Sequence, residues 1–180
     1  LTKVRRAGNY LLLQQGASIM LCPLEPLESG NYELIGTNLS YSAFDVNDVY
    51  LVAYAGREID LYEISVDESG MPSFQKVRTL NTSAGDVNHI AVNDANRVFY
   101  FDSNNILSSF DIATPETVES YSSFTTPTGI AADENYVYVA NESDGVIRVN
   151  IADKEHKPII PVAEDGEKDL EDLIVPAGMA

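Results

Sequence analysis

Pro127-Thr-Gly-Ile-Ala-Ala-Asp-Glu-Asn-Tyr-Val-Tyr-Val-Ala-Asn-Glu-Ser-Asp-Gly-Val-Ile-Arg-Val-Asn-Ile151 is the stretch that decides the fold. It indicates three short β-strands, because runs rich in Ile, Val and Tyr are separated by turn residues such as Asp144-Gly145. The same order recurs in residues 87–112 and, more loosely, in residues 42–64. The chain is therefore predicted to repeat one all-β unit.

The spacing of the repeat identifies the kind of unit. The third-strand residues Leu24, Ile64, Ile112 and Ile151 lie 40, 48 and 39 positions apart. This spacing matches that of four-stranded propeller blades, which repeat about every 40 to 50 residues. The second strands, such as residues 98–102, are apolar on both faces, as expected for a blade packed between two neighbours. We predict an all-β fold, a β-propeller of four-stranded antiparallel blades, with about four blades in this chain.

The repeat also predicts domain boundaries within a single propeller domain over residues 1–180. The predicted segments are blade 1 at 8–37, blade 2 at 40–81, blade 3 at 86–125, blade 4 at 127–163 and an acidic connection at 164–175. Blade 1 is predicted to lack its opening strand and to begin at its second strand, Tyr10-Leu-Leu-Leu. Residues 176–180 repeat the opening-strand motif of residues 127–131.

Two interpretations of residues 176–180 remain open. They supply the missing strand of blade 1 and close a four-bladed ring, since closure removes exposed sheet edges. Alternatively they open a fifth blade, and further blades come from the same or another chain. We favour the fifth blade, because a closing strand of about five residues would be a minimal clasp.

Charge and hydropathy exclude several classes of partner. The chain carries 28 Asp and Glu against 11 Lys and Arg, a net charge of −17, so a phosphate backbone would be repelled. Nucleic acid and anionic membranes are therefore not expected as partners. No apolar run approaches the roughly 18 residues that a membrane-spanning helix needs, so no membrane insertion is expected in this segment.

Three Asn-x-Ser/Thr sequons begin at Asn38, Asn81 and Asn141, and they are candidate glycosylation sites. They favour an extracellular or secreted protein. The one cysteine, Cys22, shows no disulfide framework by itself. It either packs as a small hydrophobic residue or pairs with a cysteine outside this sequence.

The repeats resemble the LDL-receptor class B, or YWTD, repeats of lipoprotein-receptor-like extracellular proteins. The family pattern Pro-x-Gly-Ile-Ala-Val-Asp is matched by Pro127-Thr-Gly-Ile-Ala-Ala-Asp133, and Val98-Phe-Tyr-Phe-Asp-Ser103 is a degenerate form of its Tyr-Trp-Thr-Asp strand. The chain has no Trp, however, and NHL-like propellers share the Gly-Ile-Ala strand. The resemblance implies a six-bladed ring, an extracellular location and a role in binding protein ligands.

Histidine chemistry is sparse, since the chain holds only His89 and His156. His89 lies in the opening strand of its repeat, and one interpretation is that it is an ordinary strand residue without a functional role. Propellers of the resembled family use histidines for acid-driven ligand release, which makes His89 a candidate pH switch. His156 lies in a charged turn and is expected to be solvated.

An axial calcium ion is the alternative that would make the chain an enzyme. Propeller hydrolases of the lactonase type hold calcium with carboxylate and amide oxygens from inner strands. The candidates are Asp45, Asn88 and Glu63, which do not recur at one offset in the repeat. We therefore expect no catalytic residue and no cofactor.

The connection between residues 164 and 175 carries six acidic candidates for docking a basic partner: Glu164, Asp165, Glu167, Asp169, Glu171 and Asp172. A solvated loop is the other interpretation of such a run, while acidic loops steer basic ligands. The sequence predicts a non-catalytic, extracellular, protein-binding propeller of a receptor or matrix protein. The alternatives are a lactonase-like hydrolase and a self-assembling structural matrix component.

Overall fold

Residues 3–24, 34–82 and 85–160 are described in the computed structural model of the chain. They form 16 β-strands in four sheets. Blade 1 contains β1 (Lys3–Ala7), β2 (Tyr10–Gln15), β3 (Ser18–Pro23) and β4 (Ile35–Ser40). Blade 2 contains β5 (Ala43–Val46), β6 (Tyr50–Ala55), β7 (Glu58–Val66) and β8 (Pro72–Asn81).

Blade 3 contains β9 (Val87–Val92), β10 (Arg97–Asp102), β11 (Ile106–Asp111) and β12 (Glu119–Ser123). Blade 4 contains β13 (Pro127–Ala132), β14 (Tyr136–Asn141), β15 (Gly145–Asn150) and β16 (His156–Ile160). Within these described ranges no helix is long and apolar enough to cross a membrane.

Each sheet is a meander in which sequential strands pair antiparallel. The first strand of each blade packs beside the first strand of the next, β1 against β5, β5 against β9 and β9 against β13. The first strands are therefore innermost, and the four sheets are successive blades of a β-propeller, which confirms the predicted fold class. Residues 161–180, including the predicted acidic connection and the strand at 176–180, lie outside the described residues.

Blade 1 corrects one prediction. Its opening strand is present, because Lys3–Ala7 pairs with β2 along its whole length, from Lys3 opposite Gln14 to Ala7 opposite Tyr10. A two-residue hairpin turn, Gly8-Asn9, joins the two strands, and Gly8 takes the positive φ of 57° that such a turn requires. The described strands of blade 1 run from residue 3 to residue 40, not from 8 to 37, and its fourth strand is Ile35–Ser40.

One backbone hydrogen bond recurs in every blade and accounts for the repeat spacing. The amide nitrogens of Leu24, Ile64, Ile112 and Ile151 donate to the carbonyl oxygens of Asn9, Val49, Asn96 and Asn135, at 2.9, 2.8, 3.0 and 2.9 Å. Each bond joins the end of the third-strand segment to the turn between the first two strands. The residues that revealed the repeat in the sequence therefore occupy the same structural position.

Three apolar clusters hold the blades together. Leu12 and Phe44 belong to the cluster between blades 1 and 2, Val52 and Val98 to the next, and Phe99 to the cluster between blades 3 and 4. Each fully buried side chain of this size contributes about 1.5–3 kcal/mol. Successive residues of a strand point to opposite faces, so the central blades are sandwiched between neighbours.

The outermost faces of blades 1 and 4 differ from these interiors. In β14 only alternate residues are buried: Val137 faces blade 3, whereas Tyr138 is half-buried on the other face. On blade 1, Leu13 pairs with Val4 and Met20, and Val4 is 40% exposed. These apolar side chains occupy positions that are buried between blades elsewhere in the described fold.

Candidate axial binding site

The first strands of all four blades line an open pocket of about 530 Å³. Lys3, Ala43, His89 and Gly129 take equivalent places around it, since each pairs with the corresponding residue of its blade's second strand. Pockets of this size accommodate side chains or small ligands. Because every blade contributes to it, this axial pocket is the candidate functional site.

Asp45 is the charged centre beside the pocket and is only 5% exposed. Its Oδ1 accepts a hydrogen bond from Nε of Arg5 at 2.5 Å and lies 3.5 Å from Nζ of Lys3. Its Oδ2 accepts a hydrogen bond from the backbone nitrogen of Val92 at 3.0 Å. Asp45 therefore joins blades 1, 2 and 3, and two cations share its single negative charge.

Burial lowers the pKa of the Lys3 ammonium. The negative charge of Asp45 opposes this effect, while the like charge of Arg5 adds to it. Attraction to Asp45 does not fully offset the loss of solvation, because that carboxylate already pairs with Arg5. The pocket therefore holds an excess of positive charge in a chain that is strongly acidic overall.

His89, the predicted pH switch, is half-buried in the same pocket. Its Nε2 lies 3.0 Å from the carbonyl oxygen of Pro127, so it links blade 3 to blade 4, and its ring meets Phe101 edge-on. Burial lowers the pKa of His89, the bond to Pro127 opposes that effect, and the charge of Lys3 adds to it. The structure thus places His89 at a blade junction, and its role as a switch stays a prediction.

The three calcium candidates do not come together. Asp45 is paired with cations, Asn88 is exposed with its amide donating to the carbonyl oxygen of Asp102 at 3.1 Å, and Glu63 is exposed on β7. Over residues 3–24, 34–82 and 85–160, no group of three or more His, Cys, Asp or Glu side chains is placed to hold a metal ion. The geometry of these three residues does not favour the axial-calcium alternative.

The three sequons lie in different environments. Asn38 is exposed in β4 and adopts a positive φ of 61°, and Asn81 is exposed at the end of β8. Asn141 is 3% exposed, and its amide nitrogen donates to Oγ of Ser143 at 3.2 Å and to Oδ2 of Asp144. A glycan on that nitrogen could not coexist with these bonds, so the geometry leaves Asn38 and Asn81 as the candidates.

Three sequence candidates remain: the acidic docking segment, Cys22 and His156. The six acidic docking residues, Glu164 to Asp172, lie outside the described residues. Cys22 is buried in β3 with a free thiol. His156 begins β16 and is exposed, with its ring 6.5 Å from that of Phe124.

Sequence reasoning missed Lys3 and Arg5. The alternation in Lys3-Val4-Arg5-Arg6-Ala7 places charged rather than apolar residues on the blade face, so the segment lacks the usual strand composition. The signal that would have revealed the strand was the turn Gly8-Asn9 directly before the strand that begins at Tyr10. No pattern in the sequence indicated that Asp45 would meet these cations.

No protein-family model matches the chain, and no curated protein matches it. Solved structures do resemble it. The WD40 repeats of RRP9 match at a TM-score of 0.57 with 15% sequence identity, and the match covers 83% of this chain and 47% of that one. The structure of U3-55K matches at a TM-score of 0.59 with 16% sequence identity, and the match again covers 83% of this chain and 47% of that one. A nidogen/laminin complex matches at 0.56 with 10% identity, covering 83% and 60%. The chain thus spans about half the length of these structures, and the likeness shows the β-propeller fold alone.

Proposed function

We propose that this chain is a non-catalytic propeller module that binds another protein, with the axial pocket as its binding site. The observation that carries the proposal is the convergence of four first strands on one open pocket of about 530 Å³. The strands that line the pocket are fixed by the apolar clusters between the blades. A rigid scaffold of this kind loses little conformational entropy when it binds.

The environment of Asp45 favours binding over hydrolysis. An axial metal site would need carboxylate oxygens free to bind a cation, and both oxygens of Asp45 already accept hydrogen bonds. Lys3 and Arg5 would also repel a metal ion at this place. We therefore propose a module without catalytic activity.

An extracellular receptor or matrix protein is the setting that we propose. The exposed positions of Asn38 and Asn81 are compatible with glycans, and the repeats resemble YWTD repeats of extracellular receptors. One structural relative is described as a complex of nidogen with laminin. Expression behind a secretion signal in mammalian cells tests this setting: we expect glycans at Asn38 and Asn81, and recovery of the protein without either glycan would contradict it.

A tryptophan plug tests the pocket as the protein-binding site. Thr128 is exposed and lines the pocket, so Thr128→Trp should fill it without disturbing the core. Ser65→Trp places the same side chain at an exposed position of β7 that does not line the pocket. Against a panel of purified secreted and matrix proteins, binding should be lost with the first variant and kept with the second. Binding that survives the plug would show that another surface is used.

The acidic segment at residues 164–172 is proposed as a second contact that steers a basic surface of the partner. Reversal of its six acidic charges should weaken binding and flatten its dependence on salt. Unchanged affinity and salt dependence would remove this part of the proposal.

A further inference from the structure

Two cations at the axial pocket share one carboxylate. Nε of Arg5 lies 2.5 Å from Oδ1 of Asp45, while Nζ of Lys3 is more distant from the same oxygen, at 3.5 Å. The other oxygen of Asp45 accepts a hydrogen bond from the backbone nitrogen of Val92. One positive charge therefore remains without an anionic partner among these three side chains.

Most of that uncompensated positive charge lies on Lys3. Its side chain is only 19% exposed, and taking an ammonium out of water is costly unless an anion compensates for it. The ammonium has three N–H donors, and Asp45 lies within reach of it only at ion-pair distance. A second carboxylate beside Lys3 would offset its lost solvation.

The pocket leaves room for such a group. Its volume of about 530 Å³ exceeds that of a single carboxylate, so the side chain that carries the carboxylate also fits. The Arg5 side chain is 37% exposed, and the exposed Thr128 lies at the same pocket. An anion can therefore reach Lys3 and Arg5 from solvent.

We infer that the axial pocket binds a carboxylate, presented by an Asp or Glu side chain of the protein partner, with Lys3 and Arg5 as its ligands. This inference rests on the proposed function and names the chemistry that the pocket recognises. It also assigns opposite preferences to two parts of the chain, since the segment at 164–172 is acidic and the axial pocket is basic. The partner would then place one acidic side chain in the pocket, while the surface around that side chain could be basic and face the acidic segment.

The overall charge makes the test specific. At a net charge of −17 the chain repels an acidic peptide, so general electrostatic attraction cannot account for binding of one. The probe is a fluorescently labelled hexaglutamate peptide, and its binding is followed by anisotropy at physiological ionic strength. A Gly-Ser peptide with the same label should not bind.

Lys3→Gln removes the uncompensated charge and leaves Asp45 paired with Arg5, so the fold should persist. We expect the affinity for hexaglutamate to fall about tenfold, as when a charged hydrogen bond is lost. Lys157→Gln is the matched control, because the Lys157 side chain is 63% exposed and pairs with Glu155 away from the pocket. Its affinity should equal that of the unmodified protein.

Thr128→Glu gives a second variant that does not depend on the Asp45 network. Thr128 is exposed, so the new carboxylate should enter the pocket as a built-in competitor and weaken hexaglutamate binding. Ser65→Glu, at an exposed position on β7 that does not line the pocket, should leave the affinity unchanged. The unfolding temperatures of all four variants show whether the fold is retained.

Three results would overturn the inference. One is no binding of hexaglutamate by the unmodified protein, and another is equal binding by Lys3→Gln and Lys157→Gln. The third is displacement of the peptide by free glutarate at a concentration equal to the peptide's own Kd, which would identify a small carboxylic acid as the ligand. Suppose that Thr128→Trp abolishes binding of a partner protein, while the unmodified protein does not bind hexaglutamate. The proposed function then stands and only this inference fails.

Discussion

The side-chain amide of Asn47 donates a hydrogen bond to the backbone carbonyl oxygen of Asn93, across 2.8 Å, and so ties blade 2 to blade 3. Asn93 repeats the arrangement one blade later, where its amide nitrogen donates to the carbonyl oxygen of Asp133 at 3.0 Å. The amide oxygens accept backbone hydrogen bonds in their own turns, from Tyr50 and from Arg97, each at 2.8 Å. Each side chain therefore stabilises one hairpin turn and one junction between blades.

Asn93→Asp separates these two roles. A carboxylate can still accept the bond from Arg97, but it cannot donate to the carbonyl oxygen of Asp133, and Asn93 is 3% exposed. We expect a loss of about 1–3 kcal/mol in the free energy of unfolding, measured by urea denaturation. Asn150→Asp is the control, because the Asn150 side chain accepts a bond from the backbone of Ala152. Equal stability of the two variants would show that the bond between blades contributes nothing.

A pair of neighbouring leucines tests the outermost face of blade 1. Leu12 is fully buried between blades 1 and 2, whereas Leu13 is half-buried on the opposite face. Leu12→Ala should lower the free energy of unfolding by about 2–5 kcal/mol, and Leu13→Ala by clearly less, because a partly exposed side chain leaves no closed cavity. Thermal and urea unfolding measure both. An equal loss at Leu13 would show that further structure covers this face in solution.

The repeat was predictable because every blade contains the same local hydrogen bond and the same pattern of apolar residues. Ile112 and Ile151 directly follow their third strands, and Ile64 lies near the end of its own. Each donates the same hydrogen bond to the turn between the first two strands of its blade, so their spacing directly reports the blade. Apolar residues on both faces of the second strand, as in Phe99 and Tyr100, reflect burial between two neighbouring blades. Such features depend on local composition and period, which a sequence displays.

The site was less predictable, because it depends on contacts between distant segments. Arg5 and Asp45 are 40 positions apart, and nothing in either local sequence indicates that they meet. The strand at Lys3–Ala7 is held by pairing with β2 in spite of its charged composition, so tertiary pairing outweighs local propensity. Burial of Asn141 likewise follows from its turn contacts with Ser143 and Asp144, which a sequon does not reveal.

The pH dependence of stability should contain a contribution from His89. Its pKa is lowered from an ordinary value of 6.5, so below this pH the unfolded chain binds more protons than the folded one. This contribution is fully present above about pH 6.5 and is lost as the pH falls from there toward the lowered pKa of the folded state. We expect His89→Gln, which can still donate to the carbonyl oxygen of Pro127, to lose less stability between neutral and mildly acidic pH.

Urea denaturation over a series of pH values measures the effect. His156→Gln is the matched control, because His156 is exposed, and its profile should follow that of the unmodified protein. The comparison of the two variants removes the contribution of the many carboxylates, which both share. If both variants show the same profile, protonation of His89 does not weaken the junction between blades 3 and 4.

Asp60 anchors the junction of blades 1 and 2 and is 4% exposed. Its carboxylate accepts hydrogen bonds from the hydroxyls of Tyr41 and Thr79, both at 2.5 Å, and pairs with Lys76 at 2.7 Å. Burial alone would raise the pKa of Asp60, but the hydrogen bonds from its three donors outweigh burial and hold this pKa below 3.8. The Tyr41 hydroxyl also meets that of Tyr62, so one carboxylate organises a polar cluster at the edge of the apolar core.

Asp60→Asn should therefore destabilise the protein at neutral pH by about 1.5–3 kcal/mol, the range for hydrogen bonds to a charged group. The stabilisation by Asp60 is present above about pH 3.8 and is lost as the pH falls through its lower folded pKa, so the difference from the unmodified protein should shrink in acid. Urea denaturation at neutral pH and near pH 3 measures both. Asp48→Asn, at an exposed turn position, should change stability by less than about 0.5 kcal/mol. A constant difference at both pH values would mean that the charge of Asp60 is not what holds the cluster together.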